Sequence, residues 1–354
     1  MRLSLCLISP LLLAAAPRGA SSIGTDLRDP AAAPGPERVV RAQYRMGTVL
    51  EIDAAGGLQG SSVEAALESA FAEVGRVEER LSNWRPGSEL SRANRSAGRE
   101  PFPITRATAE SLIAALALAG ETGGAFDPTI GPITLERVPG LAKDSGGRAF
   151  SKRVREIGYR RARVDRSATT ATLSFDSPGM SIDAGGFGKG EALDAAAAAL
   201  RAAGVESARL NFGGQILVLG SLGRPGIAAV YGRAAVAAPD DSGRLVSRVV
   251  IPDGSLSTSG DSEQPGHITD PRTGRAAAFH GSATVFASSG VRADALSTAL
   301  FVMGPAAGIA FAEARQIPAL YVDAAGRLFA SRAWSELPSW TEPKSTAIAK
   351  RRTE

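Results

Sequence analysis

The sequence predicts an α+β fold, in which strands and helices follow one another without a regular βαβ alternation. Segments whose apolar residues recur at helical spacing are mixed with segments in which apolar and polar residues alternate. No segment repeats at a fixed period, so a solenoid or a propeller is not predicted. The composition, 44% hydrophobic and 21% charged, is ordinary for a globular protein.

The start of the chain has the layout of a secretory signal peptide over residues 1–20. Arg2 gives a positive start, an apolar run follows from Leu3 to Ala16, and small residues come next. The run is shorter than the roughly 20 residues of a membrane-spanning helix, although an uncleaved N-terminal anchor stays an alternative. The only cysteine, Cys6, lies in this segment, so the mature chain needs no disulfide in an oxidising compartment.

These features predict an exported protein, periplasmic or otherwise extracytoplasmic, with membrane association left open. No later segment looks apolar enough to span a membrane, so the mature protein is expected not to span one. Residues 21–37 form an Ala/Pro-rich linker, and residues 338–354 form a basic tail that we expect to be solvated. The net charge is only +4 and aromatic residues make up 5%, so nucleic-acid binding is not expected.

Between these ends, residues 38–337 are enough for one large domain or two small ones, and their elements follow from periodicity. The expected strands are Val39–Ile52, Val164–Phe175, Ala208–Leu219, Arg244–Ile251 and Ser282–Ala287. The expected helices are Ser62–Leu81, Arg106–Thr122, Gly190–Ala203, Ala293–Met303 and Ala306–Arg315.

One helix carries a candidate metal site. Asp294 and Thr298 are four residues apart, so they share a face of the helix. Their carboxylate and hydroxyl oxygens are hard donors of the kind that Mg²⁺ prefers. The pair alone is weak evidence, because an Asp near a helix start is more often a cap.

A glycine-rich turn precedes another helix. Its glycines stand as Gly186-x-Gly188-x-Gly190, and Lys189 lies among them. Such a turn at a helix N-terminus suits phosphate oxygens. The spacing fits neither a P-loop nor the dinucleotide fingerprint, and a flexible strand-to-helix turn explains it equally well.

Four further positions combine polar or aromatic side chains with turn residues. Asp127 follows a Gly-Gly-Ala-Phe stretch and could simply start a turn. Trp84 could stack on a flat heterocycle or fill a core edge, which is commoner. The paired glycines before Gln215 could admit a ligand or mark a bulge. His267 is one of two histidines, and a lone histidine is usually structural or solvated.

Taken together, the motifs resemble the ApbE-type FAD:protein FMN transferase family from about Tyr44 to Gly304. The resemblance rests on seven ordered motifs: Met-Gly-Thr, Gly-Gly-Ala-Phe-Asp-Pro-Thr, Ile-Asp-x-Gly-Gly-x-x-Lys-Gly, Asn-x-Gly-Gly, Thr-Ser-Gly-Asp, His-Ile-x-Asp-Pro-x-Thr-Gly and Ala-Asp-Ala-Leu-x-Thr-Ala. It implies a single catalytic domain of the ApbE-like, T-fold-related type over residues 38–337. Exported members are common in this family, which agrees with the signal peptide.

The resemblance also assigns site residues. It implies a Mg²⁺ ion held by the backbone carbonyl of Gly186 together with Asp294 and Thr298. Trp84 stands where many relatives have Tyr, which keeps a flat surface but loses the phenol hydroxyl. The residues implied to contact FAD are Met46, Trp84, Ala125, Phe126, Asp127, Asp183, Lys189 and Thr269.

The implied reaction moves FMN from FAD to a Thr or Ser hydroxyl of an acceptor protein and releases AMP. The expected acceptor is an FMN-carrying domain of an electron-transfer system. His267 is our candidate general base, because imidazole titrates near neutrality, and Asp261 is the reserve. The rival functions are Mg-dependent FAD hydrolysis to FMN and AMP, and FAD binding without turnover. A redox flavoenzyme is disfavoured because no dinucleotide fingerprint is present.

Overall fold

In the computed structural model, strands and helices succeed one another irregularly along the chain. The structure describes residues 38–56, 62–135, 148–220, 233–237, 245–251, 253–261 and 265–338. The strands are β1 (Arg38–Arg45), β2 (Thr48–Ala55), β3 (Phe102–Ile104), β4 (Ala162–Arg166), β5 (Ala171–Phe175), β6 (Ser207–Phe212), β7 (Gln215–Leu219), β8 (Arg233–Ala237), β9 (Leu245–Val250), β10 (Gly254–Gly260), β11 (Gly281–Ala287), β12 (Ala319–Asp323) and β13 (Leu328–Ala330). The helices are α1 (Val63–Leu81), α2 (Glu89–Arg95), α3 (Arg106–Glu121), α4 (Gly131–Thr134), α5 (Arg148–Arg155), α6 (Gly188–Ala202), α7 (Gly290–Ala314) and α8 (Arg332–Ser335).

The centre of the fold is an eight-stranded sheet with the order β1-β2-β6-β7-β10-β11-β12-β13, in which the neighbours pair antiparallel. A three-stranded sheet, β3-β5-β4, and a two-stranded ribbon, β8-β9, lie outside it. An antiparallel sheet combined with packed helices is the α+β class, so the fold prediction is confirmed.

The two faces of the central sheet are buried by different layers. One face packs against α1, α6 and α7 in the main core, whose largest fully buried side chains include Leu50, Ile52, Phe71, Phe187, Phe212 and Phe301. The other face packs against the β8-β9 ribbon and α8 in a smaller cluster that includes Ile216, Val218, Val236, Val249 and Trp334. Side chains alternate across strands, so Leu217 faces the helices while Ile216 and Val218 face the ribbon.

Polar caps explain where the predicted helices begin. The hydroxyl oxygen of Ser62 accepts a hydrogen bond from Ala65 N at the start of α1. Thr105 caps α3 in the same way, through Thr108 N. The helices predicted over Ser62–Leu81 and Arg106–Thr122 are therefore confirmed with their starting points.

Three segments that the sequence predicts as single strands are hairpins of two strands each, so these predictions are wrong in the number of strands. Val39–Ile52 divides into β1 and β2 at Met46 and Gly47, whose φ angles are 45° and 83°. Ala208–Leu219 divides at Gly213 and Gly214, with φ angles of 56° and 89°. Two successive residues with positive φ make the tight turn that matches strand twist. Val164–Phe175 divides likewise into β4 and β5.

Helix α7 contains both helices predicted near the C-terminal end. They are separated at Gly304, whose φ of 73° and ψ of 170° break the helix before Pro305. The expectation that no later segment is apolar enough to span a membrane is wrong for α7, where an 18-residue window reaches a mean hydropathy of 1.7. Half of that window is buried inside the fold, as in the core helix of a globular domain. The predicted signal peptide, the linker and all of the tail except Pro338 lie outside the described residues.

Candidate functional site

A cavity of about 680 Å³ opens at one end of the central sheet. The β6-β7 turn, the last residues of β10, the first turn of α6 and the Asp294–Thr298 stretch of α7 contribute to its wall. This volume is in the range of ligand-binding clefts. Ten of the thirteen predicted site residues line it: Ala125, Phe126, Asp127, Asp183, Gly186, Lys189, His267, Thr269, Asp294 and Thr298.

The three predicted metal ligands meet in one corner of this cavity. Asp294 is only 4% exposed, and its Oδ2 accepts a hydrogen bond of 3.1 Å from Gly190 N. The Thr298 hydroxyl donates to the backbone oxygen of Asp294 at 3.1 Å, so its own oxygen can act only as an acceptor or ligand. A Cβ on Gly186 would lie 3.5 Å from Thr298 Oγ1 and 3.1 Å from Phe126, so glycine permits the close approach.

Two helix N-termini converge beside this corner. Gly190 in α6 and Gly290 in α7 touch through their backbones, because a Cβ on either would lie within 2.4 Å of the other's carbonyl oxygen. Asp194 fixes α7 by accepting hydrogen bonds from Gly290 N at 2.6 Å and Val291 N at 3.0 Å. Burial raises the pKa of Asp194, and these two bonds oppose the rise. Asp194 thus satisfies the first two N–H groups of α7, whereas the first turn of α6 reaches the cavity at Lys189 and favours an anionic group such as a phosphate there.

Hydroxyl groups connect α7 to the sheet behind the corner. Ser297 Oγ lies 2.9 Å from Ser259 Oγ and 3.2 Å from Ser257 Oγ. Ser259 Oγ is also 3.3 Å from Thr298 Oγ1. We did not predict these serines as site residues, although Ser259 belongs to the Thr-Ser-Gly-Asp motif. Their contacts hold Thr298 against β10.

Two asparagines hold the loop that carries Asp183. Asn94 donates to Ile182 O at 2.8 Å and accepts from Ile182 N at 2.9 Å. Asn83 donates to the same oxygen at 2.8 Å and accepts from Ala184 N at 2.9 Å. The sequence predicts the neighbouring Trp84 as a site residue, but not these asparagines. An asparagine amide that pairs with a distant backbone segment leaves no periodic pattern in the sequence, so these contacts could not be predicted from it.

Asp127 lines the cavity, but its carboxylate serves the local structure. Oδ1 accepts from Thr129 N at 2.8 Å and from the Thr129 hydroxyl at 2.6 Å. Oδ2 accepts from Tyr159 N at 2.9 Å. Burial raises the pKa of Asp127, and these bonds oppose the rise. The turn-starting role that the sequence left open is therefore present.

Three predicted site residues lie outside the cavity wall. Trp84 is 85% exposed, so it is not a core residue, and its stacking role stays a prediction. Met46 packs beside the start of α6, with its Cε 3.4 Å from a Cβ placed on Gly188. Asp261 Oδ2 lies 2.7 Å from Nδ1 of His280, and its Oδ1 accepts from Gly281 N. Burial opposes the change, but these bonds lower the pKa of Asp261, which makes it a weaker base than an ordinary Asp.

The predicted base and the predicted cation both face the cavity. His267 is exposed and lies on the wall next to Ile268 and the buried Thr269. Lys189 lies in the first turn of α6, close in sequence to Gly186. The cavity thus combines hard oxygens, the N-terminus of α6, a lysine and an imidazole. That set suits the binding and transfer of a phosphorylated compound.

Comparison with known proteins decides the family. A sequence model of the ApbE family matches residues 46–321, which is most of the chain. The chain belongs to the ApbE family. A Vibrio cholerae protein named FAD:protein FMN transferase is 36% identical over 259 residues, which cover 70% of this chain and 75% of that protein. A Rhodobacter capsulatus protein of the same name is 31% identical over 286 residues, 77% of this chain and 52% of that protein.

Solved ApbE structures share the fold. The flavin transferase ApbE from Vibrio cholerae superposes with a TM-score of 0.75 at 29% identity, covering 85% of this chain and 99% of that one. The apo form of the Pseudomonas stutzeri flavinyl transferase ApbE gives a TM-score of 0.73 at 25% identity, covering 87% and 100%. Membership therefore places the chain among enzymes that transfer a flavin group.

Proposed function

We propose that this ApbE-family enzyme transfers FMN from FAD to a Thr or Ser hydroxyl of an acceptor protein and releases AMP. The observation that carries the proposal is the corner where Asp294, Thr298 and Gly186 meet the N-terminus of α6. The pyrophosphate of FAD together with a Mg²⁺ ion, an anion with its cation, matches that arrangement. The names of the curated relatives support FAD as the donor and a protein as the acceptor.

The residues that would hold Mg²⁺ fit the ion. Asp294 would supply a buried carboxylate, Thr298 a hydroxyl oxygen, and Gly186, which lies close to Thr298, its backbone carbonyl. All three are oxygen donors, as Mg²⁺ requires. When bound, the ion supplies Lewis acidity and offsets charge on the pyrophosphate.

The protein's part in the reaction is alignment and proton transfer. The acceptor hydroxyl oxygen forms a bond to the FMN-side phosphorus, the bond from that phosphorus to the bridging oxygen breaks, and AMP leaves with that oxygen. His267 takes the hydroxyl proton, as the cavity-facing imidazole. Lys189 and the N-terminus of α6 keep the phosphates in place. The acceptor hydroxyl thus becomes a phosphoester of FMN.

The same proposal includes the compartment and the partner. An apolar run behind Arg2, small residues after it and a mature chain without cysteine support export to the periplasm or another extracytoplasmic space. Extracytoplasmic electron-transfer systems contain FMN-carrying domains, so such a domain is the proposed acceptor.

AMP release separates this function from its rivals. The enzyme is incubated with FAD and Mg²⁺, with and without an acceptor domain, and AMP is quantified by chromatography. A transferase releases AMP only with acceptor, in equal amount to the labelled protein. AMP without acceptor would identify an FAD hydrolase, and bound FAD that is never converted would identify a binding protein.

His267→Ala tests the proposed base. The variant should bind FAD with unchanged affinity and lose transfer by about 100-fold or more, as expected for the loss of general base catalysis. Flavin fluorescence measures binding, and acceptor labelling measures transfer. Asp261→Ala is the comparison for the reserve base. Transfer at the normal rate by His267→Ala would remove His267 from the mechanism.

A further inference from the structure

Among the described residues, two buried side chains that line the cavity have a polar atom without a hydrogen-bond partner, Ser282 Oγ and Gln215 Oε1. Gln215 is 3% exposed and lies at the start of β7, directly after the Gly213-Gly214 turn. Its Oε1 makes no hydrogen bond, and Gln215 lines the cavity. Leaving a buried acceptor unpaired is energetically unfavourable. A partner that arrives with the ligands would remove this cost.

The orientation of the Gln215 amide is fixed by its surroundings. Nε2 donates to Gly290 O at 3.0 Å, and a carbonyl oxygen can only accept. Nε2 also donates to Ser255 Oγ at 3.2 Å, while that hydroxyl donates to Ile216 O at 2.9 Å. A flipped amide would place its oxygen against these two acceptors. Oε1 is therefore the atom left without a partner.

The position of Gln215 indicates which donor it meets. Gly290 begins α7, and Asp294 follows it by one helical turn. Gln215 is therefore hydrogen-bonded to the residue one helical turn before Asp294, the proposed Mg²⁺ ligand, which itself accepts from Gly190 N. Mg²⁺ takes six oxygen ligands and keeps several waters, and the three protein oxygens leave positions for phosphate oxygens and water.

We propose that Gln215 is a positioning residue whose Oε1 accepts a hydrogen bond from water bound to Mg²⁺ at the Asp294 corner. This inference rests on the proposed function, since it needs the metal at that corner. Its chemistry is that of an outer-shell acceptor, which orients a metal-bound water without touching the ion. The alternative donor is an N–H group of FAD itself.

Two variants of Gln215 separate the oxygen from the anchor. Gln215→Met removes both the amide anchor on Gly290 and the oxygen. Gln215→Glu also removes the NH₂ anchor but keeps an acceptor oxygen. Ser255→Ala is the matched control, because it removes one partner of Nε2 and leaves Oε1 in place. Thermal unfolding of each full-length variant without ligands shows whether it folds.

Binding titrations provide the readout, with Mg²⁺ added to enzyme saturated with FAD and FAD added without metal. For Gln215→Met we expect the Kd for Mg²⁺ to rise about 10-fold, the usual effect of losing an outer-shell partner. Gln215→Glu should retain Mg²⁺ affinity, and Ser255→Ala should change it by less than about twofold. The Kd for FAD without metal should stay the same in all three.

Each other result overturns the inference. Equal losses in Gln215→Met and Gln215→Glu would show that only the anchor on Gly290 matters. Weaker metal-free FAD binding in Gln215→Met would assign Oε1 to an N–H of FAD. Unchanged Mg²⁺ affinity in Gln215→Met would show that Oε1 has no role. Failure of the wild-type enzyme to bind FAD or Mg²⁺ would instead overturn the proposed function.

Discussion

The contact between Gly190 and Gly290 brings the N-termini of α6 and α7 together, and Gly190→Ala should separate them. A Cβ on Gly190 would lie 2.2 Å from Gly290 O and 2.6 Å from Val291 N, whereas ordinary van der Waals contact begins at 3.4 Å. Both atoms belong to the backbone, so no side chain can rotate away. One helix must move, and the hydrogen bond from Gly190 N to Asp294 Oδ2 must weaken.

The magnitude follows from two opposing terms. Overpacking a tight contact costs about 1–3 kcal/mol, and replacing glycine by alanine in a helix returns up to about 1 kcal/mol. We therefore expect Gly190→Ala to lower the free energy of unfolding by about 1–2 kcal/mol. Displacement of Asp294 should also raise the Kd for Mg²⁺, measured with FAD present, by about 10-fold.

Urea denaturation measures the stability, and calorimetric titration measures the Mg²⁺ affinity. Gly75→Ala in α1 is the matched control, because a Cβ there meets nothing within 4 Å. It should raise the free energy of unfolding by up to about 1 kcal/mol and leave Mg²⁺ affinity unchanged. If Gly190→Ala is as stable as Gly75→Ala and binds Mg²⁺ normally, the two helix starts are not in contact as described.

Two further predictions concern the supports of the cavity. Asn83→Ala removes the hydrogen bonds to Ile182 O and from Ala184 N. It should lower the free energy of unfolding by about 1–3 kcal/mol and weaken FAD binding. Flavin fluorescence titration measures the FAD affinity. Glu121→Gln breaks the paired bonds from Arg292, which lower the pKa of Glu121 below 4.5. A carboxylate whose pKa is lowered by folding stabilises the fold at neutral pH, and this stabilisation is lost as the pH falls through the folded-state pKa. Because the pair is partly exposed, we expect it to contribute about 1 kcal/mol to the free energy of unfolding at pH 7 and nothing well below about pH 4. Urea titrations of the wild-type protein and the variant at several pH values measure this difference. A pH-independent difference would refute the ion-pair explanation.

The sequence predicted elements whose signals are local. Ser62 and Thr105 precede apolar runs with helical spacing, and both cap helices in the structure. The hairpin turns were missed for two physical reasons. Met46 adopts a positive φ that is unusual outside glycine, and the apolar pattern continues across Gly213 and Gly214 into the next strand. A long apolar run therefore does not distinguish one strand from two.

The candidate site, too, could be predicted from the sequence only where the signal is local. Asp294 and Thr298 could be placed on one helix face from spacing, but the third oxygen at Gly186 came only from family resemblance. The supporting contacts of Asn83, Asn94 and Asp194 were not predictable, because each joins residues far apart in sequence through a pair of side-chain-to-backbone hydrogen bonds. In the sequence, Gln215 is only the residue that follows a pair of glycines, and its unpaired oxygen is visible only in three dimensions.

The central claim is that FMN is transferred to a protein by a reaction that depends on the Asp294 corner. The most direct measurement is the intact mass of an FMN-domain acceptor co-expressed with the enzyme or with its Asp294→Ala variant. We predict an added FMN phosphoester on one Thr or Ser with the wild-type enzyme, and an unlabelled acceptor with Asp294→Ala. An unlabelled acceptor with the wild-type enzyme, or equal labelling by Asp294→Ala, would contradict the claim.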